Sequence, residues 1–353
     1  MAEITTADNG NSHGRLTIRD IANLAGVSPA TVSRVINGRP EVSEPVREKV
    51  LRVVSEHGYT VPRPTLSGMH SGLVGVTLPL IHHSYFSEIL AGIGEAFYEH
   101  EIPMVLCPTL HEHDREVTLL QRLRHGTTDG AILILPEESH DELAALQEQG
   151  YPFVIVDPRL TPDERVPTVS ASHLSGAREA TEHLLRLGHR RIAAITGPHG
   201  WIATEERLRG YRGALGEAGV TPDPALQIDS NFRDNGGRAA TQQLLALPEP
   251  PTAIFAFNDM LAIGALQAIR QHGLSVPEDI SVVGFDDTYE ASIMYPALTT
   301  VRQPLAEMGR MAVAQLVRLL QSQRIEALHV ELATRLVVRD TTAPVPAEVR
   351  LPA

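Results

Sequence analysis

From Leu73 onward the chain alternates between short apolar runs and stretches of helical periodicity. The runs cover residues 73–78, 104–107, 131–135, 153–156, 192–196, 253–257 and 280–285. Between them, residues 87–100, 141–149, 176–187, 204–218, 235–247 and 259–272 repeat apolar positions every three or four residues. This alternation predicts parallel strands joined by helical crossovers. The units are too many for one sheet of ordinary size, so two similar lobes are expected, changing near residues 168–173. After Thr300 one more helix (305–320) and a last strand (336–339) would let the chain cross back. Segments 73–173 plus 303–330 then form one lobe, and 174–302 plus 331–340 the other.

The first sixty residues follow a different pattern. Residues 1–14 are polar and read as a tail, and 15–60 carry three short helical patterns. Thr17 and Asp20 have the spacing of a helix-starting box, and Ile18, Ile21, Ala22 and Ala25 recur at helical intervals up to Gly26. Ser28 is placed to cap a second helix with Pro29 at its first position, and Asn37-Gly38 ends it. A third helix is expected from Ser43 to Gly58, with Val46, Val50, Val53 and Val54 on one stripe. Three short helices, the first two joined by a glycine-containing turn, describe a helix-turn-helix. The outward residues of the second helix, Pro29, Ala30, Thr31, Ser33 and Arg34, are small apart from one long cation. They suit close approach to a groove and one bidentate contact.

Charge supports that division. The net charge is −13, but residues 1–64 carry eight basic against seven acidic residues. Between Gly14 and Pro40 four arginines face only Asp20. A small basic module on an acidic body fits an anionic partner such as DNA at one end. A single cysteine, Cys107, excludes an internal disulfide framework and fits a reduced, cytoplasmic setting. No apolar stretch is long enough to span a bilayer, and the N-terminus has no signal-peptide core.

Residues 17–38, Thr-Ile-Arg-Asp-Ile-Ala-Asn-Leu-Ala-Gly-Val-Ser-Pro-Ala-Thr-Val-Ser-Arg-Val-Ile-Asn-Gly, resemble the N-terminal signature of the lactose-repressor (LacI-type) family. The resemblance implies that Ser28, Thr31, Ser33 and Asn37 hold phosphates or the helix pose. Pro29, Ala30 and Arg34 would meet base edges, and Thr17, Ile18 and Arg19 would add contacts at the start of the first helix. In that family a hinge helix follows, with a leucine wedged into the minor groove. Here residues 61–72 form the linker and Leu66 falls on the wedge position. The chain departs from the hinge pattern, however: its Asn and Ala-Arg are missing, and Tyr59 to Leu66 is two residues short.

The resemblance extends to about residue 340, through Leu187-Gly-His-Arg-Arg-Ile192, Arg207-Leu-Arg-Gly-Tyr211, Phe257-Asn-Asp259, the run from Val276 to Asp287, and Leu298-Thr-Thr-Val-Arg-Gln303. It implies an N-terminal all-α headpiece followed by an α/β body of two lobes with parallel sheets, similar to periplasmic sugar-binding proteins. Ligands of such sheets bind beyond the carboxyl ends of the strands, where Asp157, Asn258 and Asp286 follow apolar runs. The resemblance assigns effector contacts to Asp157, Arg207, Asn258, Asp286 and Gln303, with Phe232, Trp201 and Tyr85 as aromatic walls. Planar polar groups chelating hydroxyls and rings packing on C–H faces are what a sugar requires.

Enzyme readings fare worse. His82-His83 and His111-Glu-His-Asp114 lack the helical i, i+4 spacing of a metal pair and read as loop residues. Asp286-Asp287 are adjacent and point apart, and Cys107 lies in an apolar run. No nucleophile elbow, phosphate loop or dinucleotide motif opens a helix, so no catalytic residue, metal or cofactor is expected. The alternative is a sugar-binding or transport protein with an unrelated helical extension. The expected protein is a regulator that binds a palindromic operator as a homodimer and responds to a sugar-like effector. Residues 341–353, with three prolines and no heptads, read as a flexible tail rather than a coiled coil.

Overall fold

The computed structural model describes residues 18–36, 42–57 and 71–345, which belong to two compact units divided between Thr65 and Leu66. The first unit holds α1 (Ile18–Ala25), α2 (Pro29–Ile36) and α3 (Glu44–Glu56). Ile21, Ala22, Ala25, Val32, Val35 and Val50 are buried between them, with Val53 and Val54 packed alongside. Gly26, at φ +63, closes α1, and the Ser28 hydroxyl accepts a hydrogen bond from the Thr31 amide at 3.1 Å at the start of α2. Among the named DNA contacts, Thr17, Asn37 and Leu66 lie outside the described residues.

The second unit has two lobes. The first is built from β1 (Val74–Leu78), α4 (Ser84–Glu99), β2 (Met104–Pro108), α5 (His113–Arg122), β3 (Gly130–Ile134), α6 (His140–Glu148), β4 (Phe153–Val156) and β5 (Thr168–Ala171). The chain then crosses at Ser172 into the second lobe. That lobe comprises α7 (His173–Arg186), β6 (Ile192–Ile195), α8 (Ile202–Glu217), β7 (Gln227–Ile228), α9 (Asp234–Leu245), β8 (Ala253–Ala256), α10 (Asp259–Gln271), β9 (Ser281–Asp286), α11 (Tyr289–Ile293) and β10 (Thr299–Arg302). It returns for α12 (Leu305–Leu320) and β11 (His329–Leu332), and crosses a third time for β12 (Arg335–Val337). The sheets run β11-β5-β4-β3-β1-β2 and β12-β10-β9-β8-β6-β7. Every pairing is parallel except β10 with β12.

The central strands are apolar on both faces because helices cover both; β1, β3, β4, β6, β8 and β9 are buried along their whole length. α12 lies on the first lobe, where Met308, Ala312, Val313 and Leu316 join Ile89, Ile93 and Phe97 of α4. The two helices meet so closely that a Cβ on Gly92 would stand 1.9 Å from the Ala306 carbonyl oxygen.

Three expectations are corrected. Residues 331–332 belong to the first lobe, since β11 forms the edge of its sheet next to β5; its polar-apolar alternation is that of a half-exposed edge strand. His113 and Asp114 are not loop residues but the first turn of α5. Residues 341–345 of the expected flexible tail are docked on the second lobe. Thr341 is buried, its carbonyl accepts from the Val282 amide at 2.8 Å, and the Val345 amide reaches the Leu187 carbonyl at 3.0 Å. Among the described residues no helix is long and apolar enough to cross a membrane.

The α4–α12 contact yields a test. Gly92→Ala pushes a methyl into backbone and is expected to destabilise the body by about 2–4 kcal/mol, at or above the usual range for overpacking. Gly213→Ala on the open face of α8, where nothing lies within 4 Å of the added Cβ, should stabilise by up to about 1 kcal/mol. Denaturant midpoints of the two variants check the contrast.

Candidate functional site

Parallel strands deliver their carboxyl-terminal turns to the same edge, and in both lobes that edge borders one cavity of about 390 Å³. Tyr85 enters from the first turn of α4, and Asp157 directly after β4. Trp201 precedes α8, Arg207 lies within it, and Phe232 lies just before α9. Asn258 caps α10 by accepting from the Leu261 amide at 2.8 Å, and Asp286 ends β9. Backbone strain gathers here. Among the described residues nine non-glycine residues have positive φ, and five of these, His111, Leu135, Asp157, Phe232 and Asp286, border this cavity. Aspartate tolerates that region, whereas Leu135 and Phe232 occupy it at a cost of about 1–2 kcal/mol each. The strain sits where strand-end residues line the cavity.

The polar groups are already organised. Asp157 Oδ2 accepts from the Tyr85 hydroxyl at 2.6 Å, and its Oδ1 lies 3.2 Å from His173 Nε2. Arg207 donates through Nη1 to the Phe257 carbonyl and through Nη2 to His173 Nδ1 at 3.2 Å. Its guanidinium lies 3.8 Å above the Phe285 ring, and its buried Nε has no partner among the described residues. Burial opposes ionisation of Asp157, but the hydrogen bonds from His173 and Tyr85 outweigh it and hold the carboxyl below its ordinary range. Burial raises Asp286 well above its ordinary range, Arg207 pulls it down only in part, and Asp259 adds to the rise. The cavity therefore offers carboxyl groups of opposite character, one held ionised and one favouring its proton. Two aromatic surfaces flank them: Trp201 with Phe232, centroids 5.6 Å apart, and Tyr85 with Phe86, 5.2 Å apart edge to face.

Gln303 is the exception among the sequence candidates. It does not border the cavity; its Nε2 donates to Asp286 Oδ1 at 2.7 Å, so it orients Asp286 from behind. In the headpiece, Arg19, Ser28, Pro29, Ala30 and Arg34 are exposed and Thr31 is half-buried. The Ser28 hydroxyl also lies 2.8 Å from Thr31 Oγ1. Ser33 lies on α2 between Val32 and Arg34. Ile18 packs against the headpiece core, which leaves its backbone rather than its side chain for any contact.

Comparison with known proteins agrees with this two-part design. Residues 17–61 match the model for bacterial regulatory proteins of the lacI family, and residues 181–342 that for a periplasmic binding protein-like domain. The HTH-type transcriptional regulator DegA of Bacillus subtilis is 37% identical over 337 residues, 94% of this chain and 99% of DegA. The repressor CytR of Escherichia coli K12 is 34% identical over 334 residues, 94% of this chain and 97% of CytR. The chain belongs to the LacI family. It is a DNA-binding transcriptional regulator. Among solved structures, the complex of the regulator CelR with cellobiose aligns with a TM-score of 0.72 at 35% identity, covering 93% of this chain and all of CelR. The lac repressor dimer bound to operator and the anti-inducer ONPF aligns with a TM-score of 0.76 at 31% identity, covering 94% of this chain and all of that one.

Sequence reasoning missed part of the cavity wall. His83 and His111 border it, although neither carries a recognisable metal spacing, and among the described residues no group of three or more His, Cys, Asp or Glu is placed to hold a metal ion. Burial lowers the pKa of His83, whose Nδ1 has no partner among the described residues. Asn231 and Arg233 from the loop before α9, and Asn235 from its first turn, also line the wall, in a stretch whose polar composition reads as ordinary surface. The signal that could have found them is position, since each follows a strand end.

Behind the first-lobe wall, Glu116 and Glu138 are buried side by side. Burial pushes their carboxyls up to about 7 and about 8. Because folding raises these pKa values from an ordinary 4.5, the protonated forms stabilise the fold, and that stabilisation declines as pH rises above 4.5 and is gone once pH passes about 7 to 8. Glu138→Gln, neutral at every pH, should therefore gain in melting temperature relative to the unsubstituted chain as pH is raised from about 5 to about 8. A pH-independent difference would show that Glu138 is not held protonated.

Proposed function

We propose that this regulator is a repressor of sugar-use genes whose hold on a palindromic operator changes when a small sugar binds between the two lobes. The observation that carries the reading is the cavity itself. Both lobes supply planar polar groups, Asp157 from one and Arg207, Asn258 and Asp286 from the other, between aromatic surfaces from each side. Bidentate groups match adjacent hydroxyls and rings match the apolar face of a pyranose. At about 390 Å³ the space lies toward the small end of ligand pockets and suits one or two sugar rings. Cellobiose in the CelR complex supports that class. The relatives are regulators, and we assign the cavity a binding role without catalysis, in a cytoplasmic protein.

A single helix-turn-helix contacts little DNA, so tight binding calls for two copies on a two-fold operator, as in the lac repressor dimer. Exposed Arg34, beside the small Pro29 and Ala30, is the base-reading candidate. Arg34→Ala should weaken operator binding by roughly 1–3 kcal/mol and relax base preference at one position in each half-site. Fluorescence anisotropy on the upstream DNA of the gene, with single-base operator variants, reads both quantities; unchanged preference would remove Arg34 from the interface.

The effector test uses Asp286→Asn rather than alanine, because position 286 has φ +127 and asparagine tolerates positive φ. Operator affinity is measured across a panel of mono- and disaccharides. At least one sugar should shift the affinity of the unsubstituted protein, and the variant, whose amide replaces the carboxyl O–H with a differently placed donor, should need a higher concentration of that sugar for the same shift while keeping its sugar-free affinity. A protein that binds operator and responds to no sugar in the panel would refute the sugar reading.

A further inference from the structure

His173 stands where the chain first enters the second lobe, and it was not among the residues expected at the site. Its side chain is 2% exposed. It does not border the effector cavity; it faces a second cavity of about 320 Å³ on the other side of Asp157. Its two ring nitrogens point to opposite lobes. Nδ1 lies 3.2 Å from Arg207 Nη2 on α8, and Nε2 lies 3.2 Å from Asp157 Oδ1 at the end of β4.

These contacts fix the tautomer. A guanidinium carries only donors and keeps its charge, so Nδ1 must accept and cannot hold a proton. Nε2 then carries the hydrogen and donates it to Asp157. Asp157 receives a second donor, the Tyr85 hydroxyl, at 2.6 Å. The result is an ordered chain of hydrogen bonds: Tyr85 and Asp157 from the first lobe, His173 at the crossing, and Arg207 from the second lobe. All but His173 border the cavity.

We propose that His173 is a positioning residue, the neutral link that ties the ligand-facing groups of one lobe to those of the other. Taking the cavity as the effector site, a ligand that draws on Asp157 or Arg207 alters a bond shared with the opposite lobe. Local recognition thereby becomes a preference for one lobe arrangement, limited to the difference in ligand affinity between arrangements. Other ties between the lobes are less buried: Ser84 Oγ donates to Glu290 at 2.5 Å, and the Ile202 amide donates to the Arg159 carbonyl at 2.8 Å. The residues of the His173 link are nearly fully buried, where a hydrogen bond is stronger and a missing partner costs more.

The test needs no sugar, so it stands or fails separately from the effector reading. In a Cys107→Ser background, spin labels at Tyr98→Cys on the first lobe and Arg186→Cys on the second report the lobe-to-lobe distance by pulsed dipolar spectroscopy. The parent should give one narrow distribution. His173→Phe keeps a ring of similar size beside Phe285 but removes both polar atoms, and should broaden the distribution roughly twofold. His173→Gln, whose amide supplies a donor and an acceptor on one planar group, should restore it. An unchanged distribution in His173→Phe, or one as broad in His173→Gln as in His173→Phe, overturns the proposal. Nitrogen-15 spectra of histidine-labelled parent protein supply a check that requires no variant to fold. A protonated Nε2 with an unprotonated Nδ1 supports the link, and a proton on Nδ1 refutes it.

Discussion

In a parallel sheet every strand leaves at the same edge, and each must be followed by a crossover that returns the chain to the opposite edge. Two such sheets gather eight strand-end segments around one space. Neither lobe can complete a binding site alone, because the carboxyl groups, the guanidinium and the aromatic rings come from turns of both. The apolar interior of β3, β4, β8 and β9 is what makes the strands hold their direction. Chemistry enters only where those strands end.

The turn that presents Asp286 shows how such an end is kept in place. Asp287 is ion-paired with Arg302 of β10 and, at 2.6 Å, with Arg339 just beyond β12. Asp259, fully buried, accepts from the Thr288 amide at 2.8 Å, the Thr288 hydroxyl at 3.1 Å and the Thr300 hydroxyl at 2.5 Å. Burial still raises its pKa to about 7. Three carboxyl groups this close are tolerable because donors and counter-ions surround them and because burial favours the protonated form of two, Asp259 and Asp286. The strands that carry those partners are also the segments that pass between the lobes. The wall that would feel a ligand and the connections that would move are therefore held together by the same side chains.

What could be read from the chain followed from these physics. Runs such as residues 131–135 and 253–257 announce central strands because both faces are covered, and strand-end positions such as Asp157, Asn258 and Asp286 stand out as polar residues after apolar ones. The strands Thr168–Ala171, Gln227–Ile228, Thr299–Arg302 and His329–Leu332 were not legible: they are short or half-exposed, and their threonines, glutamine and histidine break the apolar signal. His83 and His111 were set aside for lacking metal spacing, a criterion that says nothing about lining a cavity. His173 was invisible for another reason. Its role arises from two partners, 16 residues before it and 34 after, and no local pattern reports such a meeting.

The order in which the lobes are threaded has a consequence for the life of the molecule. The headpiece is encoded first and has its own small core, so it can close soon after it leaves the ribosome. The first lobe cannot: α12 and β11 fill its core and sheet edge, and they are translated only after nearly all of the second lobe. The second lobe in turn waits for β12 and for Thr341, whose carbonyl pairs with the Val282 amide. At ordinary elongation rates of about 5–20 residues per second, a nascent chain would spend ten seconds or more with a finished DNA-reading end and no finished sensor. For that interval it carries a closed headpiece, too small a surface to hold DNA tightly by itself, ahead of a body that is still incomplete.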